Sequence, residues 1–360
     1  MSDSVLTVRD LQATAVNAPL VRPITTASGA IPSAPLVLID VTTVEGITGR
    51  SYIFGYTALT LRPLLAVLAE LAELLRGEVV APVERFRQFE GRFRLLGRQG
   101  LLGMALSGID MALWDALGRA HGVSVARLLG GAERPLPAYD SFGLVDPGRD
   151  RAELERSLAR GFKAIKIKLG GGDLRHDLDT VEKVREIIGA DTALMVDYNQ
   201  SLSVPEAIRR MRRLVDFDIL WVEEPVPAED LAGHAAVRQA CGLAVQTGEN
   251  WWFPEDAARA IAAKASDFVM LDLMKIGGVT GWTRAAAQAA AASLPVSSHL
   301  FAEASAHVLA ATPGAHFLEH LDLAAAILAD APPVVEGTVT ARGPGLGLEW
   351  DARAVEKYAL

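Results

Sequence analysis

The sequence predicts an α/β fold in which a smaller α+β domain precedes a (β/α) barrel. The main observation is that short apolar runs alternate with helical stretches over most of the chain. The runs cover residues 136–139, 164–168, 193–197, 219–223, 244–247, 268–271, 296–298 and 317–319. The second observation is length, because 360 residues suffice for one large domain and a smaller one. Runs of this kind with helices between them indicate a barrel of parallel strands.

The first third of the chain has the pattern of the smaller domain. Residues 4–17 have the pattern of a strand, and β-rich runs around a polar turn at residues 36–54 indicate a hairpin. Apolar residues then recur at helical spacing in three stretches, at residues 59–75, 83–96 and 101–120. Residues 18–33 contain prolines and carry Ile24 and Ile31, so we predict a lid loop there that covers a ligand.

These patterns divide the chain into three predicted parts. Residues 1–130 form the capping domain with its lid, and residues 131–329 form the barrel. Residues 330–360 are rich in proline and glycine, which does not suit a barrel, so we expect this segment to return to the capping domain.

Composition argues against several classes of protein. The net charge of −9 and the lack of a basic tract argue against a nucleic-acid partner. The sequence has no run of 18 apolar residues, so we expect no membrane span. Residues 1–4 lack the features of a signal peptide, and the single cysteine, Cys241, fits a reducing compartment. We therefore expect a cytoplasmic protein.

Two lysines stand on the strand face that would point into the barrel. Lys166 and Lys168 alternate with Ile165 and Ile167, in a chain that has only seven lysines among its 35 basic residues. A buried lysine can have its pKa lowered and act as a base, whereas arginine keeps its proton. The alternative is an edge strand whose lysines extend into solvent.

Ionisable residues stand at the ends of seven successive strand–helix units, 20 to 29 residues apart. They are Lys168, Asp197, Glu223, Glu249, Asp272, His299 and Glu319. In a barrel, the carboxyl ends of the strands carry the working residues. One acidic residue after a strand could simply cap the next helix, but capping does not explain the whole series.

Three of these residues indicate a metal site. Asp197, Glu223 and Glu249 follow neighbouring strands, and converging carboxylates repel one another unless a cation lies between them. Hard oxygen ligands without cysteine or histidine indicate Mg²⁺, with Mn²⁺ as a possible substitute. Asn199 stands beside this set and could contact a substrate.

Asp272 and His299 are candidates for an acid–base pair. An aspartate one strand before a histidine can orient the ring and raise its basicity. Taken alone, His299 could equally be a hydrogen-bonded core histidine. We interpret Lys275 as a structural or surface lysine rather than a catalytic one.

The motifs that hold these residues resemble the mandelate racemase group of the enolase superfamily. The matching stretches are Lys166-Ile167-Lys168 and residues 196–202, 221–225, 248–251, 272–282, 297–300 and 318–319. The resemblance covers nearly the whole chain. It implies a modified (β/α)8 barrel of (β/α)7β type with an N-terminal capping domain, and a homo-oligomer such as an octamer.

The resemblance also implies a role for each residue. Lys166 would neutralise the substrate carboxylate, and Lys168 would be the base on one face of the α-carbon. His299, oriented by Asp272, would be the base on the other face. Glu319 would donate a hydrogen bond to the carboxylate as it becomes an enediolate. The implied ligands of Mg²⁺ are Asp197, Glu223 and Glu249. The implied polar contacts of the substrate are Ser141 and Asn199.

The implied activity is that of an isomerase acting on a small carboxylate. We expect a racemase that interconverts the enantiomers of mandelate or a related aromatic 2-hydroxy acid by abstracting the α-proton. Ile24, Ile31 and Tyr56, with Phe54 and Phe142, would form an apolar cover that suits a phenyl ring.

Two other reactions remain open. Dehydration of a sugar acid could use the same lysine, histidine and metal, although the apolar cover offers few partners for hydroxyl groups. A cycloisomerase of the superfamily would have lysine where Asp272 stands.

Two departures from the racemase pattern bear on the substrate, because Ile167 replaces a small polar residue and Phe142 replaces a histidine.

Overall fold

The structure is a computed structural model that describes residues 5–26 and 29–360. Ala27 and Ser28 of the predicted lid, and residues 1–4 that entered the argument on localisation, lie outside the described residues.

The N-terminal part contains an antiparallel sheet. Its strands are β1 (Val8–Thr26), β2 (Gly29–Thr43) and β3 (Thr48–Phe54), in the order β1-β2-β3. The segment predicted as a lid loop is instead the far end of the β1–β2 hairpin, in which Ile24 pairs with Ile31. The register shifts between Pro19 and Ile24, so the prolines interrupt the pairing without ending it. We call residues 18–26 and 29–33 the lid hairpin.

Four helices follow this sheet in the chain. They are α1 (Leu61–Leu75), α2 (Pro82–Arg92), α3 (Leu101–His121) and α4 (Val125–Leu128), and a 3₁₀ turn, Ala58–Thr60, precedes α1. Of these, α1 and α3 pack against the sheet. Helix α3 packs against β3 so closely that a Cβ atom on Gly49 would lie 2.0 Å from the carbonyl oxygen of Ala112. By length and composition α3 could cross a membrane, but 78% of its apolar window is buried inside the protein. It is therefore placed as a core helix.

Residues 136–320, all of which the structure describes, form the predicted barrel. Its strands are β4 (Leu136–Leu144), β5 (Ala164–Lys168), β6 (Ala193–Asp197), β7 (Ile219–Glu223), β8 (Val245–Thr247), β9 (Phe268–Asp272), β10 (Val296–His299) and β11 (Leu318–His320). Between them lie α5 (Arg151–Ala159), α6 (Leu174–Ile188), α7 (Val204–Leu214), α8 (Leu231–Cys241), α9 (Phe253–Ala262), α10 (Gly278–Ala291) and α11 (Ala302–Ala310).

The strands pair in parallel from β4 to β10 in chain order. The ring closes because β11 pairs with β4 and the Ser298 N–H donates to the Phe317 carbonyl at 3.0 Å. Each of the seven helices in this range connects two consecutive strands. The (β/α)7β barrel with an N-terminal cap, expected from the sequence, is confirmed.

The inside of the barrel has an apolar lower layer and a polar upper end. Tyr139, Ala164, Met195 and Trp221 pack together low in the barrel, and the Tyr139 and Trp221 rings lie 5.7 Å apart. The charged side chains of the barrel interior therefore lie above this layer, toward the carboxyl ends of the strands. The next inward position of β5 after Ala164 is Lys166, which is almost fully buried.

The C-terminal segment contacts the barrel as well as the cap. Strand β12 (Thr338–Val339) pairs antiparallel with β4. Helix α12 (Ala352–Tyr358) follows Trp350, whose indole N–H donates to Asp40 of β2 at 2.8 Å. The predicted limits of the three parts remain a proposal, because hydrogen bonds of this segment reach both of the others.

Candidate active site

The ionisable residues predicted at the strand ends come together at one end of the barrel. Lys168, Asp197, Glu223, Asp272 and His299 are the last residues of β5, β6, β7, β9 and β10. Glu249 follows β8 by two residues, Glu319 is the middle residue of β11, and Lys166 precedes Lys168 on β5. Parallel strands bring their carboxyl ends to the same edge, so the barrel gathers these side chains.

Three carboxylates in this group could hold a metal ion. One oxygen from each of Asp197, Glu223 and Glu249 lies within 4.8 Å of the other two, and all three residues are buried. Burial raises the pKa of Glu223, and repulsion from Asp197 and Glu249 adds to this despite the attraction of Lys166. Buried negative charge of this kind is relieved by a cation. The hard oxygen donors fit Mg²⁺ or Mn²⁺.

Lys166 is a buried cation between two carboxylates. Its Nζ atom lies 2.5 Å from Glu223 and 2.8 Å from Glu319. Burial alone would lower the pKa of Lys166, but attraction to Glu223 and Glu319 raises it well above its usual value. Lys166 is therefore a fixed positive charge rather than a base.

Lys168 lies against a predicted metal ligand. Its Nζ atom is 2.6 Å from Asp197, and it also donates to the side-chain carbonyl of Asn199. Burial and Lys166 would lower the pKa of Lys168, yet attraction to Asp197 outweighs them and raises it. This direction is opposite to the one that a base requires. A cation bound to Asp197 would oppose that attraction, so the basicity of Lys168 depends on the metal site.

His299 is held by Asp272, as the sequence predicted for an acid–base pair. Its Nδ1 atom lies 2.6 Å from Asp272, while Nε2 lies 3.5 Å from Glu249 and 3.9 Å from Glu319. Burial would lower the pKa of His299, but Glu249 and Asp272 raise it to about 9. Because Asp272 holds Nδ1, the ring presents Nε2 to Glu249, one of the predicted metal ligands.

Glu319 is ionised in this arrangement. Its Oε1 atom pairs with Lys166 and its Oε2 atom accepts the Leu300 N–H at 2.9 Å. Burial would raise the pKa of Glu319, but Lys166 and His299 lower it. The resemblance implies that Glu319 donates a proton. For this, Lys166 must pair with another anion in place of Glu319.

A cavity of about 350 Å³ lies above these groups. Its polar lining comes from Lys168, Asn199, Ser201, Glu249 and His299. Tyr198 also borders it, but its hydroxyl donates to buried Asp177. The apolar and aromatic wall consists of Ile24, Ile31, Phe54, Tyr56, Leu144, Leu169, Leu300, Leu321 and Leu323. The lid hairpin and the loop after β3 thus close the cavity on its apolar side.

Two of the predicted contacts lie outside this lining. Ser141 is in register with Lys166 on the neighbouring strand and lines a separate cavity. Phe142, predicted as part of the apolar cover, is buried among the residues beneath the barrel helices. The Arg22 side chain lies over its ring, so Phe142 supports the lid hairpin rather than facing the cavity. The leucines at 144, 300, 321 and 323 were missed, although their places at or just after strand ends could have indicated them.

Lys275 is buried, so of the two alternatives that the sequence left, a structural or a surface lysine, the surface one is wrong. Its Nζ atom donates to the Asn250 side chain at 2.5 Å. The Asn250 amide nitrogen donates to Glu224 at 2.7 Å and lies 3.3 Å from Glu249. This chain of contacts supports Glu249 from outside the cluster. The sequence signal for Asn250 was its place directly after Glu249.

Models of known families match both parts of the chain. Residues 8–130 match a model described as the mandelate racemase / muconate lactonizing enzyme, N-terminal domain. Residues 149–354 match a model described as enolase C-terminal domain-like.

Individual relatives differ in the activities that their names give. An enolase from Bradyrhizobium, solved with magnesium and mandelic acid, is 53% identical, with a TM-score of 0.98 and 100% of both chains covered. A 3,6-anhydro-α-L-galactonate cycloisomerase from Streptomyces coelicolor is 32% identical over 92% of this chain and 93% of its own length. An L-talarate/galactarate dehydratase from Salmonella typhimurium is 31% identical over 70% of this chain and 65% of its own length.

Proposed function

The chain belongs to the mandelate racemase and muconate lactonizing enzyme family of the enolase superfamily, and on that premise we propose that it is a magnesium-dependent racemase. Its substrate would be mandelate or a related aromatic 2-hydroxy acid. One observation carries the proposal: two candidate bases, Lys168 and His299, line the same cavity from β5 and β10. In the order of strands around the barrel, β6, β7 and β8, at whose ends the predicted metal ligands stand, lie between β5 and β10.

The metal site belongs to the same proposal. Magnesium bound by Asp197, Glu223 and Glu249 would neutralise part of the charge that develops on the substrate carboxylate. The Bradyrhizobium enolase was solved with magnesium and mandelic acid, which supports both the metal and the substrate class.

The protein's own residues would then divide the work. Lys166 would hold the substrate carboxylate, and its shift toward that carboxylate would weaken its pair with Glu319. The pKa of Glu319 would rise as a result, which would allow it to donate a hydrogen bond to the enediolate. Lys168 and Nε2 of His299 would remove and return the α-proton on opposite faces.

The shape of the cavity supports an aromatic substituent. The apolar part of the wall consists of aliphatic and aromatic side chains from the lid hairpin, from β4 and from the ends of β3, β5, β10 and β11. A phenyl ring would bury apolar surface there, whereas the hydroxyls of a sugar acid would find few partners on this side.

Two further activities compete with this proposal because relatives carry them. The Salmonella relative is named a dehydratase, and Asn199 and Ser201 could bind hydroxyl groups in the polar half of the cavity. The Streptomyces relative is named a cycloisomerase. Asp272 at the position where we expect a cycloisomerase to have lysine argues against that reaction.

Polarimetry with enantiopure mandelate tests the proposal. We expect the optical rotation to decay to zero in the presence of the protein and Mg²⁺, and to persist with the Lys168→Met, His299→Asn double variant. The matched control, Lys183→Met, changes an exposed lysine on α6 and should racemise mandelate like the wild type. Stable rotation with folded, magnesium-loaded protein, together with formation of a keto acid from galactarate, would instead establish the dehydratase.

Two properties outside the site complete the proposal. We expect a homo-oligomer, by family resemblance an octamer, which light scattering of the purified protein can measure. We also expect a cytoplasmic enzyme, in agreement with the free, buried thiol of Cys241.

A further inference from the structure

We propose that Arg22 is a positioning residue that fastens the lid hairpin to barrel strand β4 and thereby holds Ile24 in the wall of the active-site cavity. We call the contacts of Arg22 with Asp140 and Ser141 the latch. Only the measurement of KM with a substrate rests on the proposed function, because the latch itself is a property of the fold.

The latch joins the cap to the barrel through three hydrogen bonds. The Arg22 guanidinium donates to both carboxylate oxygens of Asp140, at 3.1 and 2.9 Å, and to the carbonyl of Ser141 at 2.7 Å. A guanidinium that engages a carboxylate through two nitrogens fixes direction as well as distance. Arg22 therefore sets the position of the strand two residues before Ile24.

The receiving carboxylate is itself held rigidly. Asp140 is 1% exposed, and it accepts the Ser157 hydroxyl and lies 3.4 Å from Nδ1 of His320 on β11. Burial alone would raise the pKa of Asp140, but hydrogen bonding to His320 and attraction to Arg22 keep it well below its usual range. The latch thus ends on a fixed negative charge next to the strand that carries Glu319.

Two further contacts accompany the hydrogen bonds. The Arg22 guanidinium lies 3.7 Å from the centroid of the Phe142 ring, in the range of a cation–π contact. One residue further along β4, a Cβ atom on Gly143 would lie 2.3 Å from the carbonyl oxygen of Thr25. The lid backbone therefore lies directly on β4, at a distance that only glycine permits.

The latch lies next to the wall that encloses the substrate cavity. A second cavity, of about 340 Å³, is lined by Arg22 and Asp140, and it shares Ile24 and Leu321 with the active-site cavity. These two side chains form a partition between the cavities. The neighbouring Val21 is 77% exposed, so apolar packing at that position does little to hold the strand. Without the latch, we infer that the partition opens and the catalytic groups become accessible to water.

Hydrogen exchange measured by mass spectrometry tests the latch without any substrate. In Arg22→Met, which keeps the length of the side chain but removes its donors, we expect amides of residues 18–33 to exchange on the order of tenfold faster or more, as for loss of charge-assisted hydrogen bonds. Arg22→Lys keeps the charge without the fork and should give an intermediate rate. Gly143→Ala should also speed exchange in the lid hairpin, because its methyl group displaces Thr25.

The matched control is Arg156→Met. Arg156 lines the same second cavity, but it is 63% exposed and pairs with Glu153 of its own helix. It should leave the exchange of residues 18–33 unchanged. With the aromatic acid that the wild type racemises, Arg22→Met should raise KM about tenfold while kcat falls less, and Arg22→Lys should recover part of the loss.

Three results would overturn the inference. One is unchanged exchange of residues 18–33 in Arg22→Met. The second is faster exchange spread evenly over the barrel, which would make Arg22 a general stabiliser. The third is a KM that stays at the wild-type value although the lid hairpin exchanges faster. If the wild type racemises no aromatic acid, the proposed function fails, while the exchange measurement still decides on the latch.

Discussion

The Nδ1 atom of His299 lies 2.6 Å from one oxygen of Asp272, and the other oxygen of that carboxylate accepts the backbone N–H groups of Met274 and Lys275. The carboxylate is therefore fixed on both sides. An ionised carboxylate accepts only, so Nδ1 must donate to it. In the neutral ring this leaves Nε2 without a proton and directed at the cavity, as a base requires.

Exchanging that carboxylate for an amide should disable the histidine. In Asp272→Asn, the backbone donors retain the carbonyl oxygen of the new side chain, which leaves its NH₂ group to face Nδ1. The ring would then carry its proton on Nε2. We expect kcat for racemisation to fall on the order of 10²–10⁴-fold with little change in KM. Initial rates by polarimetry measure this, and an unchanged kcat would contradict the role of the pair. Asp267→Asn, which alters an ion pair with Arg238 outside the site, is the matched control.

Removing the metal should abolish activity reversibly. We expect EDTA to stop racemisation and Mg²⁺ to restore it, because three buried carboxylates within 4.8 Å of one another need a cation. Glu249→Gln should weaken Mg²⁺ binding in calorimetry, since it replaces an anionic oxygen with a neutral one. Glu255→Gln, an exposed change in α9, should bind Mg²⁺ like the wild type. Full activity at a verified metal content near zero would refute the site.

The lid hairpin offers a pair of substitutions on one strand. Ile24→Ser changes a side chain that lines the cavity, and Val21→Ser changes one that is 77% exposed. We expect Ile24→Ser to raise KM for an aromatic substrate on the order of tenfold, because the ring loses an apolar contact, and Val21→Ser to leave it unchanged. Equal KM values for both variants would mean that Ile24 does not touch the substrate.

The barrel and the placement of its charged residues were accessible from the sequence for a physical reason. Each strand–helix unit is a local pattern, and parallel strands necessarily bring their last residues to one edge. Lys168, Asp197 and His299 could therefore be placed together without knowledge of any contact. The path of the lid was not accessible, because proline and glycine at residues 18–33 suggested a loop, whereas pairing with the opposite strand continues the hairpin.

Contacts between distant segments were the other limit. Nothing local in the sequence showed that Lys275 reaches Asn250, or that Arg22 reaches Asp140. The protonation states of the site residues could also not be predicted from the sequence, because they depend on how closely opposite charges approach. Lys168 next to Asp197 has a raised pKa, although a neighbouring lysine alone would lower it.

A buried carboxyl outside the cluster should make stability depend on pH. Asp110 of α3 accepts the N–H of Thr280 at 2.9 Å, and burial raises its pKa from 3.8 to about 7. Between these values the folded protein holds a proton that the unfolded chain has lost. The contribution of Asp110 to the free energy of unfolding is therefore complete below about pH 4. It decreases by about 4 kcal/mol in total as the pH rises through 7.

Urea unfolding of Asp110→Asn from pH 5 to pH 8 measures this contribution. The amide cannot ionise, so the variant should not share the loss of stability of the wild type. We therefore expect the free energy of unfolding of the variant minus that of the wild type to increase as the pH rises. Asp330→Asn, at a site that is 82% exposed, is the control and should run parallel to the wild type. A constant difference between Asp110→Asn and the wild type would show that Asp110 does not titrate in this range.

The two bases should be separable by isotope exchange. Lys168 and His299 approach the cavity from β5 and β10, so each should serve one face of the α-carbon and one enantiomer. In His299→Asn, racemisation should stop in both directions, while Lys168 still removes the α-proton of one enantiomer, by resemblance the S form. In D₂O that enantiomer should exchange its α-hydrogen without inversion, and the other should stay inert, as α-proton NMR can follow. Lys168→Arg should give the mirror result, because guanidinium keeps its proton. Exchange of both enantiomers at similar rates in either variant would show that one base reaches both faces, and the two-base assignment would be wrong.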